Sequence, residues 1–306
     1  MSPRSLSGVF APVVTPFGAD LAPDAGRLLR HCKWLLSHGV KLAVFGTNSE
    51  ANSMSAAEKR MLLDRLTDGG IPPSDMMPGT GACALTDAVD LTAHAVRRGC
   101  GGVLMLPPFY YKGVPDEGLY RYYAEVIERT GSSSLRVYLY HIPQVTGVPL
   151  GLDLIERLVR DFPGTVAGIK DSSGDWANTQ AMLDRQWDGF SVFPGSEDFL
   201  LKGLRAGAVG CISATANVNP RAIATLAETW TQDDADAQQE RLSDIRRIFQ
   251  RHPMIAAMKQ AIAHYGNDPD WARLRPPLVP LGAPEADGLV ADLDRAGFRG
   301  LADLPS

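Results

Sequence analysis

The chain has 306 residues, 45% of them hydrophobic and 21% charged, with a formal net charge of −5. That composition is ordinary for a globular protein and the length suffices for a well-buried core, which excludes disordered and fibrous classes. Acids and bases are interspersed without runs of like charge, so neither nucleic acid nor a membrane surface is the expected partner, and a small molecule is. The four cysteines, Cys32, Cys83, Cys100 and Cys211, form no CxxC pair. Their apolar or helical contexts predict buried, reduced thiols rather than disulfides or metal ligands. No apolar segment follows Met1 as a signal peptide would require, and no run approaches the roughly 20 residues of a membrane helix, so a cytoplasmic location is expected.

In chain order, eight short β-branched and apolar runs alternate with longer helical patterns, the signature of repeated βα units around a parallel sheet. The expected strands are Val9–Thr15, Leu42–Phe45, Met77–Gly81, Gly102–Leu106, Arg136–Tyr140, Val166–Lys170, Ser191–Gly195 and Gly210–Ser213. After the second, Ser55 with Glu58 three residues on reads as a capping box, opening a helix whose apolar face is Met61, Leu62 and Leu66. The helix over Leu85–Arg98 carries Val89, Ala93 and Val96 on one stripe and stops at Gly99. The run Gly101–Leu106 is apolar throughout, as a strand covered by helices on both faces should be. Eight units favour a closed (β/α)8 TIM barrel over an open sheet, and Thr15-Pro16-Phe17-Gly18 lacks the GxGxxG that a dinucleotide-binding fold needs after its first strand. From about residue 230 the strands stop, and helices are expected over Asp234–Gln250, Met254–Tyr265 and Pro284–Ala296. The division is a catalytic barrel over 1–230 and a helical C-terminal region over 231–306.

In such a barrel the chemistry sits at the C-terminal ends of the strands. Lys170 ends the apolar run Val166-Ala167-Gly168-Ile169 in a chain that uses seven lysines against 23 arginines. Desolvation favours the neutral, nucleophilic amine, which condenses with a ketone. The competing reading is a strand-end lysine paired with Asp171. Lys33, Lys59, Lys202 and Lys259 fall in helical patterns and Lys41 and Lys112 in loops, where solvation is expected. Imine formation needs a proton shuttle. Tyr140 ends the neighbouring strand, about 4.8 Å away, within reach of Lys170; the alternative is a packed ring with its hydroxyl on water. The turn Gly46-Thr47-Asn48-Ser49 before a helix can offer backbone N–H groups and a hydroxyl to a carboxylate, although such turns are also ordinary βα loops. His31, His38, His94, His141, His252 and His264 show no HxH or HxxxH spacing, so neither a metal nor another cofactor is expected.

In order and context these segments resemble the dihydrodipicolinate synthase and N-acetylneuraminate lyase family of pyruvate-dependent class I aldolases. The carriers are Pro12-Val13-Val14-Thr15-Pro16-Phe17, Gly46-Thr47-Asn48-Ser49-Glu50, Pro108-Phe109-Tyr110-Tyr111, Tyr140-His141-Ile142-Pro143 with Thr146-Gly147, Gly168-Ile169-Lys170-Asp171, and Gly210-Cys211-Ile212-Ser213. The resemblance implies that Lys170 forms the Schiff base, Tyr140 relays protons, and Thr47 and Asn48 hold the pyruvate carboxylate. It also implies that Tyr111 reaches a neighbouring subunit's site in a dimer or homotetramer, that the Ile212 carbonyl faces the pyruvate methyl, and that Gly195 lines the mouth.

Three positions depart from dihydrodipicolinate synthases. Val145 stands where those enzymes resemble one another in an arginine for the second substrate's carboxylate, Asn48 replaces a threonine, and His141 replaces an asparagine common after the tyrosine. A valine supplies no charge-assisted hydrogen bond, worth about 1.5–3 kcal/mol. Asn48, the Tyr110-Tyr111-Lys112-Gly113 stretch and Asp171-Ser172 look more like the 4-hydroxy-2-oxoglutarate and 2-keto-3-deoxy-sugar-acid aldolases, so the expected reaction is reversible cleavage of a 4-hydroxy-2-oxo acid to pyruvate and an aldehyde. The alternatives are dihydrodipicolinate synthesis, dehydration of a keto-deoxy sugar acid, and a silent barrel that binds a keto acid. Specificity is expected at Val145, Lys112–Asp116 and Asp171–Asp175.

Overall fold

The computed structural model describes residues 6–304. The elements run β1 Gly8–Ala11, α1 Ala25–Ser37, β2 Lys41–Leu42, α2 Ala56–Asp68, α3 Leu85–Arg97, β3 Val103–Met105 and α4 Asp116–Thr130. They continue with β4 Val137–His141, α5 Pro143–Thr146, α6 Leu152–Asp161, β5 Val166–Asp171, α7 Trp176–Asp184, β6 Ser191–Pro194, α8 Leu200–Arg205 and β7 Gly210–Ile212. Four helices follow: α9 Pro220–Thr229, α10 Ala235–Gln250, α11 Met254–Tyr265 and α12 Ala283–Arg295. Among the described residues no helix is long and apolar enough to cross a membrane.

The chain divides into two compact units. The first comprises Pro72–Ile212 with the segment ending at Gly8, and its sheet is parallel in the order β3-β4-β5-β6. Every residue of these strands is buried, as parallel strands covered on both faces require. The expected strand Met77–Gly81 forms only one bridge, Gly79 to Leu104. Thr80 N donates to Leu104 O at 3.0 Å and Leu104 N to Pro78 O at 2.9 Å. Pro78 has no N–H to extend the ladder, so the segment occupies a strand position without strand length. In α3 the buried stripe is Ala88, Leu91, Thr92 and Ala95, with the expected Val89, Ala93 and Val96 beside it and half-buried. Gly99 after that helix has φ +79°, the left-handed stop read from the sequence.

The second unit comprises Val9–Ile71 and the chain from Ser213 onward. Here β1 and β2 pair in parallel, with Phe10 opposite Lys41 and Ala11 opposite Leu42. The capping box of α2 is formed: Ser55 N donates to Glu58 Oε2 at 2.8 Å and Glu58 N to Ser55 Oγ at 3.2 Å. Leu62, Leu63 and Leu66 are buried on that helix, whereas Met61 is 38% exposed, so the apolar face lies one position from where it was expected. All four cysteines are free, but only Cys32 and Cys211 are buried; Cys83, in the loop before α3, is exposed.

Lysines on helices were expected in solvent, and Lys59 and Lys259 are not. Lys259 is wholly buried and donates to Glu50 Oε2 at 2.8 Å, while the amide of Arg275 donates to Glu50 Oε1 at 3.0 Å. Burial lowers the Lys259 pKa, and Glu50 pulls it back up. The α11 sequence around it, Met-Ile-Ala-Ala-Met-Lys-Gln-Ala-Ile-Ala, is buried almost all round, so its one lysine has no face on which to reach water. Lys259→Met strands the Glu50 carboxylate without its partner, and a loss of about 3–5 kcal/mol in chemical unfolding is expected. A loss below about 1 kcal/mol, the scale of an exposed pair, would contradict this account.

His31 packs against the rings of Trp34 and Trp271, at centroid distances of 5.5 and 5.2 Å. Burial pushes its pKa down to about 4, against a smaller upward pull from Asn217. The unfolded chain therefore takes up a proton first as pH falls, near 6.5, and stability is lost between there and about 4, by about 3 kcal/mol in full. Equilibrium unfolding at stepped pH should show this slope in the native protein and a shallower one in His31→Leu.

Candidate active site

The first unit brings Lys170 and Tyr140 together. In the β4–β5 ladder Tyr140 is the register partner of Lys170 and His141 that of Asp171. Because side chains alternate between faces along a strand, Tyr140 and Lys170 share one face and His141 and Asp171 the other. Lys170 and Tyr140 are each 2% exposed. Lys170 Nζ donates to Tyr140 Oη at 3.2 Å and lies 4.3 Å from the ring centroid. Below them Tyr138 fills the same face, its ring edge-on to Phe193 at 5.9 Å. Position 168 must be glycine there, since a Cβ would lie 2.7 Å from Tyr138 Cδ1 and 2.4 Å from Ser191 O.

Asp171 does not pair with Lys170. Its Oδ2 accepts from Thr179 Oγ1 at 2.6 Å and its Oδ1 from Ser173 N at 3.0 Å, fastening the loop after β5 to α7. His141, 4% exposed, accepts the amide of Leu150 on Nδ1 at 3.1 Å. Burial lowers its pKa and the nearby Asp171 carboxylate opposes that. Sequence reasoning missed Thr179 and Leu150, whereas Ser173 falls in the segment Asp171–Asp175 where specificity was expected.

Gly195 N donates to Asp171 O at 2.6 Å, and a Cβ at Gly195 would lie 2.1 Å from Ser172 Oγ, so only glycine lets the ends of β5 and β6 approach this closely. Ile212 is fully buried at the end of β7. The loops after β3 and β4 are linked by Lys112, whose Nζ donates to the carbonyls of Phe109 and Thr146. Gln144 Nε2 donates to Ser172 O at 2.5 Å, while Val145 is 59% exposed. Tyr110 and Tyr111 are each 73% exposed and meet edge to face at 5.2 Å.

Thr47 and Asn48 belong to the second unit, on a 3-10 turn, Thr47–Ser49, followed by another, Ala51–Ser53, before α2 begins. The N–H groups of Ser49, Glu50 and Ala51 bond inside this turn to the carbonyls of Gly46 and Thr47. Thr15 Oγ1 anchors the turn by donating to Ser49 O at 2.7 Å. Among the described residues no group of three or more His, Cys, Asp or Glu side chains is placed to hold a metal ion.

Residues 5–296 match the Dihydrodipicolinate synthetase family. An uncharacterized DapA-like lyase of Chloroflexus aurantiacus is 33% identical over 94% of this chain and 96% of its own. The crystal structure of dihydrodipicolinate synthase from Agrobacterium tumefaciens superposes with a TM-score of 0.87 at 31% identity, covering 96% of this chain and all of that one. The structure of YagE, a dihydrodipicolinic acid synthase family protein from Escherichia coli described in complex with pyruvate, gives 0.87 at 27% identity, over 96% and 99%. The parallel βα units are those of a (β/α)8 barrel with C-terminal helices. Family, fold and a lysine–tyrosine pair at adjacent strand ends agree, and the chain belongs to the dihydrodipicolinate synthetase family of class I aldolases and lyases.

Proposed function

We propose that this protein reversibly cleaves a 4-hydroxy-2-oxo acid to pyruvate and an aldehyde through an imine on Lys170. The observation that carries the reading is the 3.2 Å approach of Lys170 Nζ to Tyr140 Oη, and the pyruvate complex of YagE supports the keto acid. Lys170 Nζ attacks C2 of the substrate, and Tyr140 supplies the proton with which the carbinolamine hydroxyl leaves as water. Tyr140 then takes the C4 hydroxyl proton. The C3–C4 bond breaks, its electrons pass into the imine to give an enamine, and the aldehyde departs. Protonation at C3 and hydrolysis release pyruvate and restore the amine. By the family resemblance Thr47 and Asn48 hold the carboxylate, the Ile212 carbonyl faces the methyl carbon, Gly195 lines the mouth, and Tyr111 serves a neighbouring subunit in a dimer or tetramer.

A coupled assay for pyruvate release across 4-hydroxy-2-oxo acids of differing tails tests this reading, and turnover of none of them, with a folded protein, overturns it. Valine at position 145 sets the reaction apart from dihydrodipicolinate synthesis. Val145→Arg introduces a guanidinium worth about 1.5–3 kcal/mol to an incoming carboxylate, so condensation of pyruvate with aspartate semialdehyde should rise by about 10- to 100-fold. Chromatographic product analysis decides it; an unchanged rate shows that specificity lies elsewhere.

A further inference from the structure

His141 lies in none of the steps above, yet it is buried directly after Tyr140 and opposite Asp171, the neighbour of Lys170. Its Nδ1 accepts the Leu150 amide at 3.1 Å and so closes the loop 142–149. That loop holds Gln144, which donates to Ser172 O, and Thr146, whose carbonyl receives Lys112. The backbone ties the strand ends as well: Ser172 N donates to His141 O at 2.7 Å and Gly195 N to Asp171 O at 2.6 Å. A ring that accepts on Nδ1 carries its single proton on Nε2, so the Leu150 amide fixes the neutral tautomer. A second proton has to enter at Nδ1, where it would face the Leu150 N–H donor to donor, and the imidazolium must therefore release the loop.

We infer that His141 is a positioning residue, which by holding Leu150 and the end of β4 keeps Tyr140 in its facing geometry with Lys170, and which releases that geometry when it is protonated. The inference rests on the reading of Lys170 and Tyr140 as the imine-forming pair. The charged group acting on the ring is the Asp171 carboxylate of β5. Lys170 and Tyr140 project from the opposite face of the same two strands, the chain between α5 and α6 presents the uncharged Leu150 amide, and α7 presents the Thr179 hydroxyl, which is bonded to Asp171. Burial sets the protonation below the ordinary histidine value, against the pull of Asp171.

The test follows exchange of the pyruvate methyl protons with deuterium by NMR, a reaction of the imine and enamine that needs no aldehyde, across pH in wild type, His141→Asn and His141→Leu. Wild type should lose rate on the acid side with an inflection below about 6.5. Asparagine accepts the Leu150 amide and does not titrate, so His141→Asn should restore most of the neutral rate and lack that inflection. Leucine accepts nothing, and misplacement of the pair should lower the rate about 10- to 100-fold at every pH. Retention of the wild-type inflection in His141→Asn, or a wild-type rate in His141→Leu, overturns the inference; if His141→Leu does not fold, the His141→Asn profile decides alone. Borohydride trapping of wild type with pyruvate separates the two failures. An adduct on Lys170 alongside an unaltered His141→Asn profile sinks only the positioning role, and absence of the adduct sinks the imine reading.

Discussion

Lys170→Ala should form no borohydride-stable adduct with pyruvate and should lose turnover by on the order of 10⁴-fold or more, because removing the covalent nucleophile leaves only binding and residual polar stabilisation. Lys170→Arg should be equally inactive, since a guanidinium does not deprotonate to attack a carbonyl. Two other lysines make the experiment discriminating. Lys259 is as deeply buried as Lys170, but its Nζ is held by the Glu50 carboxylate at 2.8 Å, so it serves as a strut. Lys112 is exposed and has two carbonyl partners. Intact-mass measurement and peptide mapping after trapping should therefore label Lys170 alone. An adduct on Lys259 or Lys112, or turnover surviving in Lys170→Ala, would move the nucleophile and undo the mechanism. Circular dichroism guards against reading misfolding as chemistry, since truncation removes a buried side chain.

The meeting of Lys170 with Tyr140 was legible because two local signals coincided: a lysine ending an apolar run, and a tyrosine ending the preceding strand. Adjacent parallel strands with matched ends then bring the pair together without further information. The alternation of the pleat also decides against Asp171 as the lysine's partner, and that argument needs only the register. What could not be read was the far face of the same strands. Leu150 reaches His141 through a loop whose path follows from its φ/ψ values and from the short helix α5, and nothing in the sequence of residues 142–149 marks position 150 as a donor.

The burial of Lys259 is a failure of a different kind. A lone lysine in a helical pattern is normally solvated, and that expectation ignored the residues around it. The flanking Ala, Met and Ile leave the helix no polar side, so its charge had to find an internal partner. Glu50 meets it from a backbone position with φ +57°, in the left-handed region that a glutamate seldom occupies. Both residues lie in segments that matched helix and turn patterns well. A good local match is incomplete here, because the pairing joins positions 209 residues apart. The strand at 77–81 shows the same limit in miniature, because the apolar run was present but the proline inside it cannot donate to a ladder.

Tyr140→Phe isolates the hydroxyl. The ring that lies 4.3 Å from Lys170 Nζ is retained, so its packing persists while the hydrogen bond at 3.2 Å is lost. Two proton transfers are assigned to that oxygen, one to the departing carbinolamine hydroxyl and one from the C4 hydroxyl as the C3–C4 bond breaks. Each positioned proton transfer contributes typically 10²–10⁴-fold, so kcat should fall by roughly that much while the imine remains reachable through water. The borohydride trapping rate with pyruvate reports dehydration alone, and single-turnover release of aldehyde reports bond cleavage. If the hydroxyl serves both steps, both rates fall in Tyr140→Phe and slow trapping still ends in an adduct on Lys170. A fall in aldehyde release with normal trapping would confine Tyr140 to the C4 proton and hand dehydration to water. A loss below about tenfold in both would remove Tyr140 from the relay and leave its hydroxyl the task of orienting Lys170.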